Sequence, residues 1–353
     1  MKLNRNKIVA VIALLSVLTF SACKKMRYVT MDALQPAQIA FPAHVKKLLI
    51  VNRTKFEKNR AVNIIEGVLT GEMPGEDKAN VQELMTVMQQ TLAQSPRFEI
   101  VLATEVLGGN SVTASFPSSL EWSKIEELCN QYQADAVLAI EVYDSDFIVT
   151  NGKRLVDKKV DNNGSSKTIK VDEYYAEGVA NVKVGFKVYN PKGRSIIDQQ
   201  LFSRSNTWQG VGSTATDAAL NLIGKVQATK QVTKTAGISY AHKIAAMPIK
   251  IKRAFYAKGR AAEIATGKRQ ADVNDWQGAI ETWEAGVANA SNKDAGKLCY
   301  NIAVAYEVLG DLPKAKEWVS KAYVDYGNKK ARSYASTLDR RVQSDQRVNE
   351  QLK

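Results

Sequence analysis

Two segments near the carboxy terminus repeat one another. Asp275-Trp276-Gln277-Gly278-Ala279-Ile280-Glu281-Thr282-Trp283 aligns with Asp311-Leu312-Pro313-Lys314-Ala315-Lys316-Glu317-Trp318-Val319, which starts 36 residues later. Self-similarity at a period of roughly 20–50 residues is a strong constraint, because each unit is a supersecondary piece that hides its apolar face only by stacking on a neighbour. In the later unit Cys299, Ile302, Ala303 and Tyr306 fall on one helix face, Gly310-Asp311-Leu312 turns the chain, and Ala315, Val319 and Ala322 form the returning face. Small residues at Ala303 and Ala315 let two helices approach, and Tyr306 fills the space beside them. Gly267, Ala279, Trp283 and Gly286 hold the matching positions of the earlier unit, where Gln270 departs from the larger apolar residue expected. Two units over 263–328 and a polar capping helix over 329–353 follow. Arrays usually need about three repeats, so this one is expected to pack on the preceding domain through residues 228–262.

The spacing and the alternation of small and aromatic residues resemble the tetratricopeptide repeat, with Gly327 where that family closes on proline. The resemblance implies a groove suited to peptides and helices.

Upstream, the hydrophobic pattern changes period. Leu48-Leu49-Ile50-Val51 reads as a buried strand. Gly67, Gly71, Pro74 and Gly75 break up residues 55–79. Val81, Leu84, Met85, Met88 and Leu92 recur at helical steps, and Ser95-Pro96 stops them. A strand over 98–102, a loop over 107–117, a helix around Trp122, Ile125, Leu128 and Cys129, and a strand over 134–142 complete an alternating order. That order predicts a sheet with helices packed on it. Residues 151–172 are polar and basic, with a turn or tip at 162–166. Val182, Val184, Phe186 and Val188 share one strand face, Asn190-Pro191-Lys192-Gly193 turns, and 196–202 returns as an edge strand. A helix over 214–226 closes the domain. The expected fold is thus an α/β (α+β) sheet domain with flanking helices over 44–226, followed by an all-α helical-repeat domain.

KKLLIVNRT, SPRFEIVLATEV and QADAVLAIEVYD, each separated by a helix, resemble the CsgG-like α/β group. That group includes the curli-secretion lipoprotein, the penicillin-binding-protein activator LpoB and, more distantly, the amino-terminal domain of TolB. The resemblance implies the fold. It does not extend to a pore, because residues 148–178 are too polar for a membrane-spanning barrel segment.

The amino terminus sets the address. Lys2, Arg5 and Lys7 precede an apolar run from Ile8 to Phe20, then Ser21-Ala22-Cys23. This is a secretory signal pattern, and Ser21-Ala22-Cys23 resembles the end of a lipobox, with Phe20 where leucine is usual. Residues 1–22 read as a lipoprotein signal peptide, Cys23 as the lipidation site and 23–43, with Pro36 and Pro42, as a tether. Lys24-Lys25-Met26 carries no acidic export signal, so the expected location is the outer membrane, lipid-anchored and periplasm-facing. Cys129 and Cys299 read as two buried small hydrophobes rather than a disulfide joining separate domains.

The formal charge is +13, but it is concentrated. Residues 243–269 hold eight lysines and arginines against Glu263 alone. A basic helical connector over 227–262 is expected, with Lys250, Lys252, Arg253, Lys258 and Arg260 as candidate contacts to an anionic surface. Its alternative is a solvated basic helix. An exported chain offers no nucleic-acid role, and Phe255 and Tyr256 read as core anchors rather than stacking platforms.

Signals for catalysis are sparse. Three cysteines and two histidines argue against a four-ligand zinc site. His44 and His242 lack a triad setting. No G-x-S-x-G elbow, phosphate loop or H-E-x-x-H is present. Asp135, Glu141, Asp144 and Asp146 gather near one strand and could hold a cation or act as paired carboxylates, with a solvated strand end as the plainer reading. The sequence therefore leads to a non-catalytic, lipid-anchored envelope scaffold that needs no cofactor or metal, holds protein partners through its α/β domain and helical groove, and is compatible with homo-oligomers. The alternatives are an activator of a cell-wall synthase or part of a secretion complex, and a hydrolase using the acidic cluster.

Overall fold

A computed structural model describes residues 26–54, 64–65, 68–69, 75–109, 115–162 and 165–353. The signal peptide, Cys23, Gly67, Gly71, Pro74 and the Asn163-Gly164 tip lie outside the described residues. Two compact units emerge: Gln35–Pro248 with Arg347–Lys353, and the described part of Met1–Leu34 with Ile249–Gln346.

The first unit is a mixed sheet with helices on both faces. Its strands are β2 (Lys47–Asn52), β5 (Glu99–Val106), β6 (Ala136–Asn162), β7 (Ser165–Asn190) and β8 (Ser195–Gly212), in the order β5-β2-β6-β7-β8. A two-residue pair, β3 (Ile64–Ile65) with β4 (Val68–Leu69), stands apart. β2 is parallel to both β5 and β6, whereas β6, β7 and β8 are antiparallel. The centre of β2 is apolar on both faces because both are covered. Leu48 and Ile50 join Val81, Leu84 and Met88 of α1 (Glu76–Leu92) and Val232, Ala236 and Tyr240 of α4 (Lys225–Ile244). Leu49 and Val51 join Ile125 and Leu128 of α2 (Trp122–Tyr132). On the first face the Phe186 and Tyr240 rings stack at 3.8 Å.

Three expectations change here. The closing helix over 214–226 is α3 (Ala215–Leu220), a break, and then the start of α4, which runs on to Ile244. The sheet unit therefore reaches Pro248 rather than residue 226. Ala228, Ala236 and Ala241 make the α4 stripe narrow, so it reads as a connector although it is core. The polar stretch 151–172 is strand. β6 and β7 pair without a break from Val142↔Gly185 to Asn162↔Ser165, and β8 supports β7 only as far as Tyr174. Beyond that point the two strands form a ribbon of roughly 30 Å at the strand rise of about 3.3 Å per residue. Two ion pairs cross its strands, Lys153 to Asp172 at 2.7 Å and Arg154 to Glu173 at 2.6 Å.

The second unit is a two-stranded sheet and a helical array. β1 (Met26–Gln35) pairs with β9 (Met247–Tyr256). This corrects two expectations, since the tether begins with a strand and the basic connector ends in one. In β9 the residues alternate, Met247, Ile249 and Ile251 inward and Pro248, Lys250 and Lys252 outward, so the period is that of a strand with one solvated face. Five helices follow: α5 (Ala262–Asp272), α6 (Trp276–Val287), α7 (Asn292–Val308), α8 (Leu312–Val324) and α9 (Lys329–Leu352). Their core joins Ile264, Trp283, Leu298, Ile302, Val319 and Leu338.

Candidate functional site

The residues singled out for helix packing meet as a set. Ala279, Trp283, Ala303, Ala315, Val319 and Ala322 are buried, and Tyr306 is half-buried against the same core. Close approach is what the small positions permit. A Cβ on Gly267 would lie 2.3 Å from the Trp283 indole nitrogen, and one on Gly286 would lie 2.8 Å from the Glu263 side chain.

The α5–α6 and α7–α8 turns are built alike. Gly310 has φ +84° and Asn274 has φ +66°, the left-handed region in which helices commonly stop. In each turn the next residue's N–H reaches five residues back, Asp311 to Tyr306 at 2.9 Å and Asp275 to Gln270 at 2.9 Å. The same aspartate then caps the next helix. Asp311 accepts from the Lys314 N–H at 3.0 Å, and Asp275 from the Gly278 N–H at 2.9 Å. The sequence repeat is thus a repeat of local physics, a left-handed residue followed by an N-cap aspartate.

The basic segment does not form one stripe. Lys250 is paired with Asp32 at 2.5 Å, and Lys252 lies over the Tyr28 ring at 4.7 Å. Arg253 is engaged by both oxygens of buried Glu307, at 2.7 and 2.9 Å, and Glu307 also accepts from the Tyr334 hydroxyl at 2.7 Å. Lys268 pairs with Asp272. Arg260 contributes its backbone N–H, at 2.6 Å, to Asp294. Of the five candidate contacts, Lys258 is the one that lines the cavity between β9, α7 and α9.

That cavity, of about 740 Å³, is the candidate site. It lies where the chain leaving β9 meets the first turns of α7 and the α8–α9 turn. Lys258 joins Lys293, Lys297 and Lys329, with Tyr256 and Tyr326 as apolar walls. The walls are tied down from behind. Asn301, fully buried, accepts the Tyr256 N–H at 2.7 Å and donates to the Tyr256 carbonyl at 2.8 Å, acting as a strand partner. The Tyr256 hydroxyl, its pKa raised by burial, meets Asn328 at 3.2 Å, and Asn328 donates to the Gly296 carbonyl at 2.8 Å. Buried Asp294 accepts from the Arg260 and Ala261 N–H groups and from Lys297 Nζ, at 2.6, 3.0 and 2.6 Å. Burial pushes its carboxyl up, and the bonds from Lys297, Ala261 and Arg260 more than offset this, leaving it below its ordinary value. Lys258, Lys293 and Lys329 are exposed at the rim and make no ion pair among the described residues.

Sequence reading found one of these four lysines. Lys293 and Lys297 stand four apart on one helix face, a signal that was present, whereas Lys329 and Tyr326 arrive through a turn that composition does not reveal.

The acidic residues at the start of β6 do not converge with Asp135, which precedes the strand. Asp135 accepts the Lys46 and Lys47 N–H groups, both at 2.8 Å, and so serves the entry of β2. Glu141, at the β-bulge between Ile140 and Val142, is buried and takes Arg53 at 2.6 Å and the Tyr189 hydroxyl at 2.6 Å. Lys187, also buried, donates to Ser119 at 3.2 Å, and burial lowers its pKa. Asp144 is half-buried and Asp146 exposed. Six residues of strand, or roughly 20 Å, separate Asp135 from Glu141. No three His, Cys, Asp or Glu side chains are placed to hold a metal among the described residues. His44 meets Asn190 at 3.1 Å. Cys129 and Cys299 are free and buried, and burial pushes both thiols up to about 11. None of the described helices is long and apolar enough to cross a membrane.

Among solved structures, the chain is similar to PelC from Paraburkholderia phytofirmans, solved as a dodecamer (10% identity, 62% of this chain and 98% of that one, TM-score 0.26). It is also similar to a putative neuraminyllactose-binding hemagglutinin homolog from Helicobacter pylori (14% identity, 59% and 87%, TM-score 0.22). No curated protein matches. Residues 265–341 match a second domain of unknown function, DUF6340. Residues 45–256, more than half of the chain, match the domain of unknown function DUF8603, and the chain belongs to that family.

Proposed function

We propose that this chain is a lipid-anchored cell-envelope scaffold, held at the outer membrane by Cys23 and facing the periplasm, that binds protein partners through a tetratricopeptide-like array. The observation that carries this reading is the pair of matched turns, Asn274-Asp275 and Gly310-Asp311, which bring α5/α6 and α7/α8 into successive helical hairpins. Such hairpins present an extended surface for a peptide or helix. The non-catalytic part of the reading is supported by where the buried carboxylates are engaged. Glu141, Asp294 and Glu307 each receive two or more hydrogen bonds from their own unit.

Crosslinking in intact envelopes followed by mass spectrometry tests the scaffold. A partner crosslinked repeatedly to lysines of α5–α8 is expected, and recovery of no specific protein overturns the reading. Cys23→Ala tests the anchor separately. Retention of that variant in the detergent phase removes the lipidation claim and leaves the scaffold claim standing.

A further inference from the structure

The lysine-lined cavity stands apart from the helical-repeat reading and calls for an occupant of its own. Its volume of about 740 Å³ suits a small organic molecule, for which pockets of roughly 300–1,000 Å³ are usual, and exceeds what one inorganic ion fills. Four lysines line it and no aspartate or glutamate does. One of the four, Lys297, is spent on Asp294. The other three repel one another across a concave wall, where like charges focus the field on whatever enters. Between them, Tyr256 and Tyr326 offer apolar surface. The cationic lining contains no guanidinium, so it lacks the planar fork that reads carboxylates two oxygens at a time. Ammonium groups are point charges with rotatable donors, which match the tetrahedral oxygens of a phosphate.

We propose that this pocket binds a small organic phosphate, its phosphate on Lys258, Lys293 and Lys329 and its carbon body against Tyr256 and Tyr326. The phosphate could belong to a soluble metabolite or to a lipid headgroup, and the experiment separates these sources.

Isothermal titration calorimetry of the full chain in detergent uses glycerol 3-phosphate, pyrophosphate, short-chain phosphatidic acid in the same micelles, and citrate, at constant ionic strength. Saturable binding of glycerol 3-phosphate, tighter than that of pyrophosphate, supports a soluble organic source. Binding of phosphatidic acid alone supports a headgroup. The combined variant Lys258→Ala, Lys293→Ala and Lys329→Ala is expected to weaken binding on the order of a hundredfold, at about tenfold per charged hydrogen bond discounted for exposure. The control Lys314→Ala, Lys316→Ala and Lys321→Ala removes the same charge from α8 outside the cavity and is expected to bind as the parent does. All six lysines lie on the surface or are half-buried, and circular dichroism checks that both variants fold. Four outcomes overturn the proposal: binding of neither organic phosphate, citrate or pyrophosphate binding as tightly as they do, undiminished binding in the pocket variant, or an equal loss in the control.

Discussion

Gly267→Ala sets two effects of opposite sign against each other at one atom. Within a helix, alanine is favoured over glycine by about 1 kcal/mol, so on propensity alone the change stabilises α5. The structure reverses the sign. The new methyl would stand 2.3, 2.5 and 2.7 Å from the indole Nε1, Cε2 and Cδ1 of Trp283, whereas carbon contacts sit at about 3.5–4.0 Å. Relief requires the ring to move by more than an ångström. Trp283 is fully buried, with the Phe255 ring centroid at 6.1 Å, and has no room to give. Overpacking of a filled core costs about 1–3 kcal/mol, occasionally more. Repacking at a wholly enclosed ring belongs at the upper end of that range, so the net effect is a destabilisation of about 1–2 kcal/mol. For a unit of this size that lowers the melting temperature by roughly 3–10 °C. Differential scanning calorimetry measures the transition, and near-ultraviolet circular dichroism reports whether the tryptophan environment loosens. Trp283→Val supplies the second arm of a cycle, because it deletes the whole ring, including the atoms the methyl would strike. In that background Gly267→Ala should become neutral or stabilising, and the coupling between the two sites should be about 1–3 kcal/mol. A higher melting temperature for Gly267→Ala in the parent chain, or additive effects of the two changes, would refute the close-approach account of the helix pair.

Glu307→Ala should destabilise the helical unit by about 3 kcal/mol, because it leaves the largely buried Arg253 guanidinium and the Tyr334 hydroxyl without their acceptor; urea denaturation checks it. Asp294→Asn tests the pH dependence. Burial raises the Asp294 carboxyl, but the bonds from Lys297, Ala261 and Arg260 hold it below its ordinary value. Its contribution is therefore present above about pH 4, its unfolded value, and is lost as pH falls through the folded one. The stability gap between parent and variant should narrow from pH 6 to pH 2.5, and a gap that widens on acidification contradicts the assignment. Cys129 and Cys299, with thiols raised to about 11, should resist iodoacetamide at pH 8 in the folded chain and react after unfolding; peptide mass spectrometry reads each site.

The elements that were legible in the sequence are those whose burial leaves an apolar pattern, periodic or continuous. α1 and α7 carry apolar residues at helical steps, and β2 is apolar on both sides because both sides are covered. Where neither face is buried the signal fades. The outer halves of β6 and β7 are largely exposed on both sides, with Leu155, Val160 and Ile169 at the surface among charged residues and Lys153–Asp172 and Arg154–Glu173 paired across the strands, so no buried face marks them as strands. β9 failed differently, since its alternation is present but its outward residues are lysines, and a dense run of charge was read as a solvated helix.

The same charge run shows why the site was harder to find than the fold. Along the sequence, residues 243–269 look like one basic stripe. In space three of the eight cations are matched, Lys250, Arg253 and Lys268 by Asp32, Glu307 and Asp272. The positive potential reappears around Lys258, where α7 adds Lys293 and Lys297 and the start of α9 adds Lys329. Three of these four lysines lie outside the stretch that composition flagged. Net charge along a chain counts groups before their partners are known, whereas a binding site depends on the charges left over after pairing. Here those leftovers come from segments about 35 to 70 residues apart, joined by the fold of the helical unit.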